Sequence, residues 1–386
     1  MIPKSQIPTR AFVVRSPGSP FVLEDVVLDE VRANEVLVEM KYTGLCHTDL
    51  VVQAGGVPVG DFPAVLGHEG AGVIRRLGSG VVNKSLCVGD EVLLSFITCC
   101  KCQPCKGGRL GACTRFTEIN FTGGRGPSVS ESPISFPNGD PIRGQFFGQS
   151  SMAKLAIVSE ASVMKIAPEF HLTQTDIASL TSLGCGYLTG AGTVMNVLKP
   201  HSTSRFMILG MGAVGLSALM AAKAIGVENI LAVDLFDSKL ELATTLGASH
   251  TLNAKETKDL AQAVHKIFPE GVDQVLDTTG VASVMQASIK ALGHGGILAI
   301  VGAAPADAAL TISPLDFLMN CKRVVGAVEG AADPAVILPQ LLDWYKQGRF
   351  PVDRLATVYK ASHLDQALED LHSGKVIKPV LDWTDI

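Results

Sequence analysis

Cys99-x2-Cys102-x2-Cys105-x7-Cys113 packs four thiols into fifteen residues, with Lys101, Pro104, Gly107 and Gly108 between them to let the chain fold round a tetrahedral ion. Four thiolates leave a metal no vacant position, so such a cluster braces structure and does no chemistry. Zinc suits it because zinc favours tetrahedral sulfur and has no redox chemistry, although iron takes similar ligands. Cys100 stands out of step with the spacing, and a register in which it replaces Cys99 stays open. A second set of donors is scattered. Cys46 closes an apolar strand ahead of His47-Thr48-Asp49, His68 lies in the turn Gly67-His68-Glu69-Gly70, and Cys185 sits in Gly184-Cys185-Gly186. Taken singly, a cysteine in an apolar strand is core and a lone histidine is a satisfied structural one. Taken together, two thiolates and an imidazole hold a metal with a fourth position left for water or substrate.

The elements that would carry these residues differ between the two halves of the chain. The first half reads as β-rich, with apolar or alternating runs at Ala11–Arg15, Phe21–Leu28, Glu35–Tyr42 and Asp90–Phe96 separated by Gly, Pro and Asn. From about residue 187 strands alternate with helices, the pattern of a parallel sheet wrapped by crossovers. Phe206–Leu209, Ile230–Val233, Gln274–Leu276 and Ile297–Val301 suit strands buried on both faces, with helical spacing at Ala213–Ile225, Ser238–Leu246, Lys258–Ile267 and Val281–Ala291 between them. Two amphipathic helices follow, Pro334–Gln347 and Leu364–His372, and then an apolar run at Val380. These readings put residues 1–186 and 330–386 in one domain and 187–329 in another. Residues 117–145 are rich in Gly, Pro and Ser and read as a long functional or mobile loop.

Phe206-Met-Ile-Leu209 runs into Gly210-Met-Gly212-Ala-Val-Gly215 and an apolar helix, and Asp234 ends the next strand nineteen residues after the third glycine. Each part has a task in binding a dinucleotide. Gly210 permits the tight turn, Gly212 lets amides approach the pyrophosphate, and Gly215 lets helix and strand pack closely. Asp234 would accept from the adenosine ribose hydroxyls and repel a 2'-phosphate, which favours NAD over NADP, and Lys239 is placed to reach the same ribose. The alternative makes the glycines ordinary turn residues and Asp234 a helix cap.

Composition narrows the remaining classes. A chain of 386 residues implies two domains, and a net charge of -5 offers no footprint for nucleic acid. No apolar run reaches the roughly eighteen residues of a membrane span, and the start lacks a signal-peptide pattern, so a cytoplasmic protein is expected. Nine cysteines, four of them at metal spacing, fit a reducing compartment. Cys87, Cys100 and Cys321 read as small buried hydrophobes.

Gly44-Leu-Cys46-His47-Thr48-Asp49, Gly67-His68-Glu69-Gly70-Ala-Gly72, the four-cysteine lobe, Gly184-Cys185-Gly186 and Gly210-x-Gly-x-x-Gly215 come in an order and spacing that resembles the zinc-dependent medium-chain alcohol dehydrogenases. Within that family the chain looks most like the aryl, benzyl and allylic branch, on Leu50-Val51 after Cys-His-Thr-Asp. The resemblance implies a Rossmann-type doubly wound parallel sheet beside a β-rich, GroES-like catalytic domain with the zinc lobe. It implies two zinc ions per subunit. The catalytic one would be held by Cys46, His68 and Cys185 with Glu69 as an occasional or indirect ligand, and the structural one by Cys99, Cys102, Cys105 and Cys113. Asp49 would orient His68. Thr48 would hydrogen-bond the alcohol and pass its proton toward the nicotinamide ribose. His47 and Lys378 would meet the pyrophosphate, and Thr189 and Val214 would pack at the nicotinamide end. The implied activity is NAD-linked interconversion of a primary apolar alcohol and its aldehyde, in a homodimer joined through Leu310–Val328.

Two departures from the family pattern stand out. Val51 occupies the place where many relatives end the proton relay with histidine, and Lys378 replaces a common arginine, which keeps the charge but loses the bidentate fork. Ser95, Phe96, Ile97, Phe146 and Phe147 are implied to line the substrate channel, where phenylalanines would favour a flat or unsaturated alcohol. Two other readings compete. A glutathione-dependent formaldehyde dehydrogenase would need cations such as Arg115, Arg125 and Arg143 for the glutathione carboxylates, and a non-catalytic dinucleotide-binding scaffold would have lost a zinc ligand or Thr48.

Overall fold

The computed structural model describes residues 6–57, 60–125 and 131–386. Packing divides the chain into two units, Met1–Cys185 with Val352–Ile386, and Gly186–Pro351.

The first unit is built on two sheets. In the larger one the strand Glu35–Gly44 is central, and pairs antiparallel with Gly70–Leu77, Leu155–Ser159 and Lys378–Asp382. Its residues Val36, Val38 and Met40 are fully buried, as alternation on a pleated strand requires. Thr43 pairs with Gly70, so the segment leaving the end of one strand and the segment entering the other lie side by side. Cys46 is on the first and His68 on the second. The smaller sheet takes the order Ala64–Val65, Ile7–Val14, Val22–Leu28, Ile134–Ser135, Pro141–Ile142. Its last two strands come from the stretch expected to be a loose loop. That stretch also opens on the helix Phe116–Phe121, and residues 126–130 lie outside the described residues.

The second unit holds a sheet of six strands among the described residues, all parallel: Arg205–Leu209, Asn229–Asp234, His250–Asn253, Val272–Asp277, Leu292–Ile300 and Arg323–Gly326. Numbered along the chain they run 3-2-1-4-5-6 across the sheet, the doubly wound order whose reversal leaves a ligand crevice at the strands' C-terminal ends. Met207, Leu209, Leu231, Val275 and Leu298 fill the core under the helices, as both-face burial of a parallel sheet demands.

The return to the first unit comes later than composition indicated. The helix Pro334–Lys346 stays with the second unit, where it packs against the helix Gly186–Gly192 and buries Ile337, Leu338, Leu341, Leu342 and Trp344. The boundary therefore falls at Val352 and not near residue 330. Only beyond it do the strands Ala356–Lys360 and Lys378–Asp382 join the larger sheet of the first unit.

Candidate metal centres and cofactor motif

Three segments of the first unit converge on one point. The helix His47–Gln53 starts at Cys46, and Asp49 in its first turn accepts from the Cys46 amide at 3.2 Å. The same carboxylate accepts from the Gly67 amide at 3.0 Å and stands 3.0 Å from His68 Nδ1. One fully buried acid thus caps a helix, ties two donor-bearing segments together and fixes the imidazole, leaving Nε2 for a metal. Cys185 arrives on the 3-10 turn Thr181–Gly184, pinned by Ser95 Oγ donating to the Gly184 carbonyl at 2.6 Å. A Cβ on Gly184 would sit 2.0 Å from the Leu94 carbonyl, so only glycine lets the turn come this close.

The ligand atoms of Cys46, His68, Glu69 and Cys185 all lie within 4.8 Å of one another. His68 Nε2 is buried and has no hydrogen-bond partner, a cost that a metal bond removes. The Cys185 thiol, with His68 and Lys378 adding to it against the opposing effect of burial, holds the Cys46 thiol well below its usual range, so the ligating thiolate is favoured. Two thiolates and one imidazole inside such a sphere fit zinc. Thr48, half-buried, places its hydroxyl 3.7 Å from Cys46 Sγ, and His47 beside it is exposed. Asp49→Asn keeps the shape but turns a donor toward one of the three groups that Asp49 binds. Zinc affinity at this site is expected to fall about 10- to 100-fold, measured by competition with a chelator.

Glu69 and Lys378 form a buried pair behind the ligands. Lys378 Nζ reaches Glu69 Oε2 at 2.9 Å, Oε1 at 3.1 Å and the Leu45 carbonyl at 3.0 Å, and Ser182 Oγ donates to the same carboxylate. Lys378 is 4 % exposed. The structure places the Lys378 ammonium against Glu69, among the metal-ligand candidates. The reason is register: Val380 pairs with Gly44, which seats Lys378 behind the metal ligands. Gln149, in the segment that follows Phe146-Phe147, binds backbone groups around the ligand loop. Fully buried, it donates to the His68 carbonyl at 2.9 Å and the Ser95 carbonyl at 3.3 Å and accepts from the Gly70 amide at 3.1 Å, bracketing the ligand loop. A glutamine that serves only backbone groups leaves no spacing to read.

The sulfurs of Cys99, Cys102, Cys105 and Cys113 also lie within 4.8 Å of one another. Cys100 is exposed, with a left-handed φ of 54° that turns its sulfur out toward Thr98, and this settles the register in favour of Cys99. The Cys105 amide, with other donors, draws the Cys102 thiol down to about 6, while burial pushes Cys105 up to about 12. Protons are shared unevenly among crowded thiols, and a divalent cation would remove that conflict. Cys87 and Cys321 are likewise exposed, so the three spare cysteines are not buried hydrophobes as expected.

An aromatic wall covers the histidine. Phe147 stacks on the His68 ring at 4.6 Å and 29°, and Phe146 meets it edge-on at 5.5 Å. Phe121 and Phe116 contact Phe147 at 5.1 and 6.0 Å, and Phe96 contacts Phe116 at 5.5 Å. Phe147 holds an unusual φ of 53° to reach this position.

In the second unit the glycine motif joins a strand to a helix. The strand Arg205–Leu209 turns at Gly210 into the helix Ala213–Ala224, and a Cβ on Gly215 would lie 1.8 Å from the Gly210 carbonyl. Asp234 ends the neighbouring strand and accepts from the Met211 amide at 2.6 Å and the Leu235 and Phe236 amides at 2.7 and 3.0 Å. It therefore braces the glycine loop. Lys239 lies over the Phe236 ring at 5.0 Å. Val214 is in the first turn of the helix after the glycines, and Thr189 Oγ1 donates to Glu329 Oε2 at 3.2 Å.

Comparison with known proteins agrees with this anatomy. Residues 32–168 match the alcohol dehydrogenase GroES-like domain, and residues 213–347 match the zinc-binding dehydrogenase domain. A geraniol dehydrogenase of Castellaniella defragrans is 36% identical over 97% of this chain and 98% of its own length. The chain belongs to the zinc-dependent medium-chain alcohol dehydrogenases. Among family members, a probable S-(hydroxymethyl)glutathione dehydrogenase 1 of Schizosaccharomyces pombe is 33% identical over 97% of each chain. The crystal structure of benzyl alcohol dehydrogenase from Acinetobacter calcoaceticus is 38% identical, covers 97% of this chain and 99% of its own, and superposes with a TM-score of 0.89. The matched GroES-like domain contains Cys46, His68 and the four-cysteine lobe.

Proposed function

We propose that this alcohol dehydrogenase interconverts a primary aryl or allylic alcohol and its aldehyde, using NAD and two zinc ions per subunit. The observation that carries the substrate class is the Phe147 ring stacked on the His68 ligand at 4.6 Å, backed by Phe146, Phe121 and Phe116. A flat unsaturated alcohol gains ring contacts on such a wall that ethanol cannot make. When bound, zinc supplies a Lewis acid that makes an alcohol acidic, and the dinucleotide supplies the hydride acceptor. Cys46, His68 and Cys185 would hold the metal, Asp49 keeps the imidazole in register, and Thr48 takes the alcohol proton as it passes its own hydroxyl proton on. With Val51 in the next turn, that proton leaves through the ribose or water. In the second unit, Gly210, Gly212 and Gly215 take the pyrophosphate and Asp234 the adenosine ribose, which favours NAD over NADP. His47 is exposed and free to serve the pyrophosphate, and Thr189 and Val214 serve the nicotinamide end.

The test is a panel of benzyl, cinnamyl, geranyl, ethyl and secondary alcohols. Benzyl, cinnamyl or geranyl alcohol is expected to exceed ethanol in kcat/KM by about 100-fold, and Phe147→Ala is expected to cut that preference about tenfold. Preference for ethanol would contradict the reading. The glutathione-dependent alternative draws on the Schizosaccharomyces relative, and activity with hydroxymethylglutathione would favour it. Against it, the three arginines considered for glutathione already face carboxylates: Arg115 meets Glu118 at 2.9 Å, Arg125 meets Glu35 and Asp29 at 2.7 and 2.8 Å, and Arg143 meets Asp61 at 2.6 Å.

A homodimer and a cytoplasmic location complete the proposal. Leu315, Leu318 and Met319 are 67%, 73% and 65% exposed beside the edge strand Arg323–Gly326, a patch that a second copy would cover. Among the described residues no helix is long and apolar enough to cross a membrane.

A further inference from the structure

The aromatic wall over His68 is carried on strained backbone. Phe147, Gly148 and Ser150 take φ values of 53°, 69° and 48°, so two residues with side chains sit in the left-handed region almost side by side. For a bulky residue such as Phe147 that is an outlier, and it persists only where the surroundings enforce it. Ser150 holds one side. Its hydroxyl donates to the Val65 carbonyl at 2.7 Å and accepts from the Phe146 amide at 2.9 Å. The other side is held by a buried ion cluster at the start of the central strand Glu35–Gly44, the end away from Cys46.

Glu35 receives both ends of the segment that carries the wall. Arg125, a few residues after Phe121, closes a bidentate pair on it, with Nε on Oε1 and Nη2 on Oε2, each at 2.7 Å. Gln145 directly precedes Phe146 and donates from Nε2 to Glu35 Oε1 at 3.1 Å and to the Ile157 carbonyl at 3.3 Å. Its amide bonds the Gly123 carbonyl at 3.1 Å, so the two ends are also joined through the main chain. Asp29 accepts from Arg125 Nη1 at 2.8 Å, and the Arg32 amide donates to Glu35 Oε2 at 2.9 Å. Glu35, Arg125 and Gln145 are all buried. Desolvation opposes the attraction in such a cluster, so it is weak ground for stability, and its best-attested use is to specify one arrangement of the chain.

We propose that Glu35 is a positioning residue for substrate selection: through Arg125 and Gln145 it fixes Phe121 against Phe146 and Phe147 and so holds the Phe147 ring over His68. This rests on the aryl or allylic reading given above. Phe121 meets Phe146 and Phe147 at 5.7 and 5.1 Å, so a shift at either end of the segment passes to the ring that stacks on the imidazole. The wall adds ring contacts for a flat unsaturated alcohol and none for ethanol, which has no π face. Those contacts form on binding and persist through the reaction, so Glu35 acts on the KM of the unsaturated alcohol and leaves kcat alone.

Steady-state kinetics with cinnamyl alcohol and with ethanol are measured on the zinc-loaded, full-length protein at saturating NAD, wild type beside Glu35→Gln. The variant keeps the shape of the side chain but breaks the bidentate pair. Its KM for cinnamyl alcohol is expected to rise about tenfold, with kcat for cinnamyl alcohol and kcat/KM for ethanol each within about twofold of wild type. Gln145→Met removes the Nε2 donor and leaves the ion pair, and it is expected to lower the ratio of cinnamyl to ethanol kcat/KM about threefold. That second variant keeps the test standing if Glu35→Gln does not fold. A merely structural role would lower the yield of active enzyme and scale both alcohols alike. Equal losses on the two alcohols, or an unchanged ratio, in either folded variant would overturn the proposal. Preference of wild type for ethanol would overturn the aryl or allylic reading itself, and this proposal with it.

Discussion

His68→Ala abolishes alcohol oxidation, lowering kcat/KM by at least about 1000-fold, while NAD binding stays within about twofold of wild type. The imidazole supplies the one nitrogen among the donors that lie within 4.8 Å of one another, and Asp49 is positioned to serve it. Its loss removes the metal, and with it several kcal/mol of stabilisation of the developing charge on oxygen. The glycine loop and Asp234 lie in the other packing unit, so the dinucleotide binding proposed for them is expected to be untouched. Steady-state kinetics with benzyl alcohol and a titration with NAD separate the two effects. A fully active His68→Ala protein would mean that the metal assignment is wrong.

Cys113→Ser, by contrast, acts on stability. Cys113 is buried, and its sulfur accepts from the Cys99 amide at 3.4 Å, so it closes the lobe on itself. A structural zinc site supplies folding energy outright, and a missing ligand forfeits most of it locally. The expected result is loss of one of two zinc ions and a melting temperature about 10 °C lower, with the segment 99–113 becoming the first point of proteolysis. Cys100→Ser is the control. Its sulfur faces outward, and the variant is expected to match wild type in zinc content and melting temperature. Metal analysis and calorimetry on the two variants check both statements, and a Cys100→Ser protein that lost zinc would reverse the register.

Much of this architecture could be read from residue order. The helix Leu364–His372 has the bounds its amphipathic spacing indicates, and four of the six described parallel strands lie where apolar runs of three to five residues stand between helical spacings, whereas His250–Asn253 and Arg323–Gly326 were not expected. The glycine motif was legible because Gly210, with a φ of 89°, and Gly215, where a Cβ would lie 1.8 Å from the Gly210 carbonyl, answer steric demands that other residues do not meet. What composition hid were matters of register and burial. Helix Pro334–Lys346 looks the same whichever unit covers its apolar face, so the boundary at Val352 needed the packing. The contact of Lys378 with Glu69 depends on the pairing of Val380 with Gly44, which spacing does not reveal. Cys99 and Cys100 differ by one position, and only the backbone turn at Cys100 tells them apart. Gln149, Ser95 and Ser182 act by bonding groups far away in sequence, two of them backbone groups, and such partners have no signature in spacing.

The most direct measurement of the central claim is zinc-edge X-ray absorption on wild type and on His68→Ala. The variant should report a single site of four sulfurs, and subtraction from wild type should leave a second zinc bound by two sulfurs, one imidazole and one light atom. A difference spectrum with four sulfurs, or one without an imidazole, would contradict the assignment of Cys46, His68 and Cys185 as the ligands of an open zinc site.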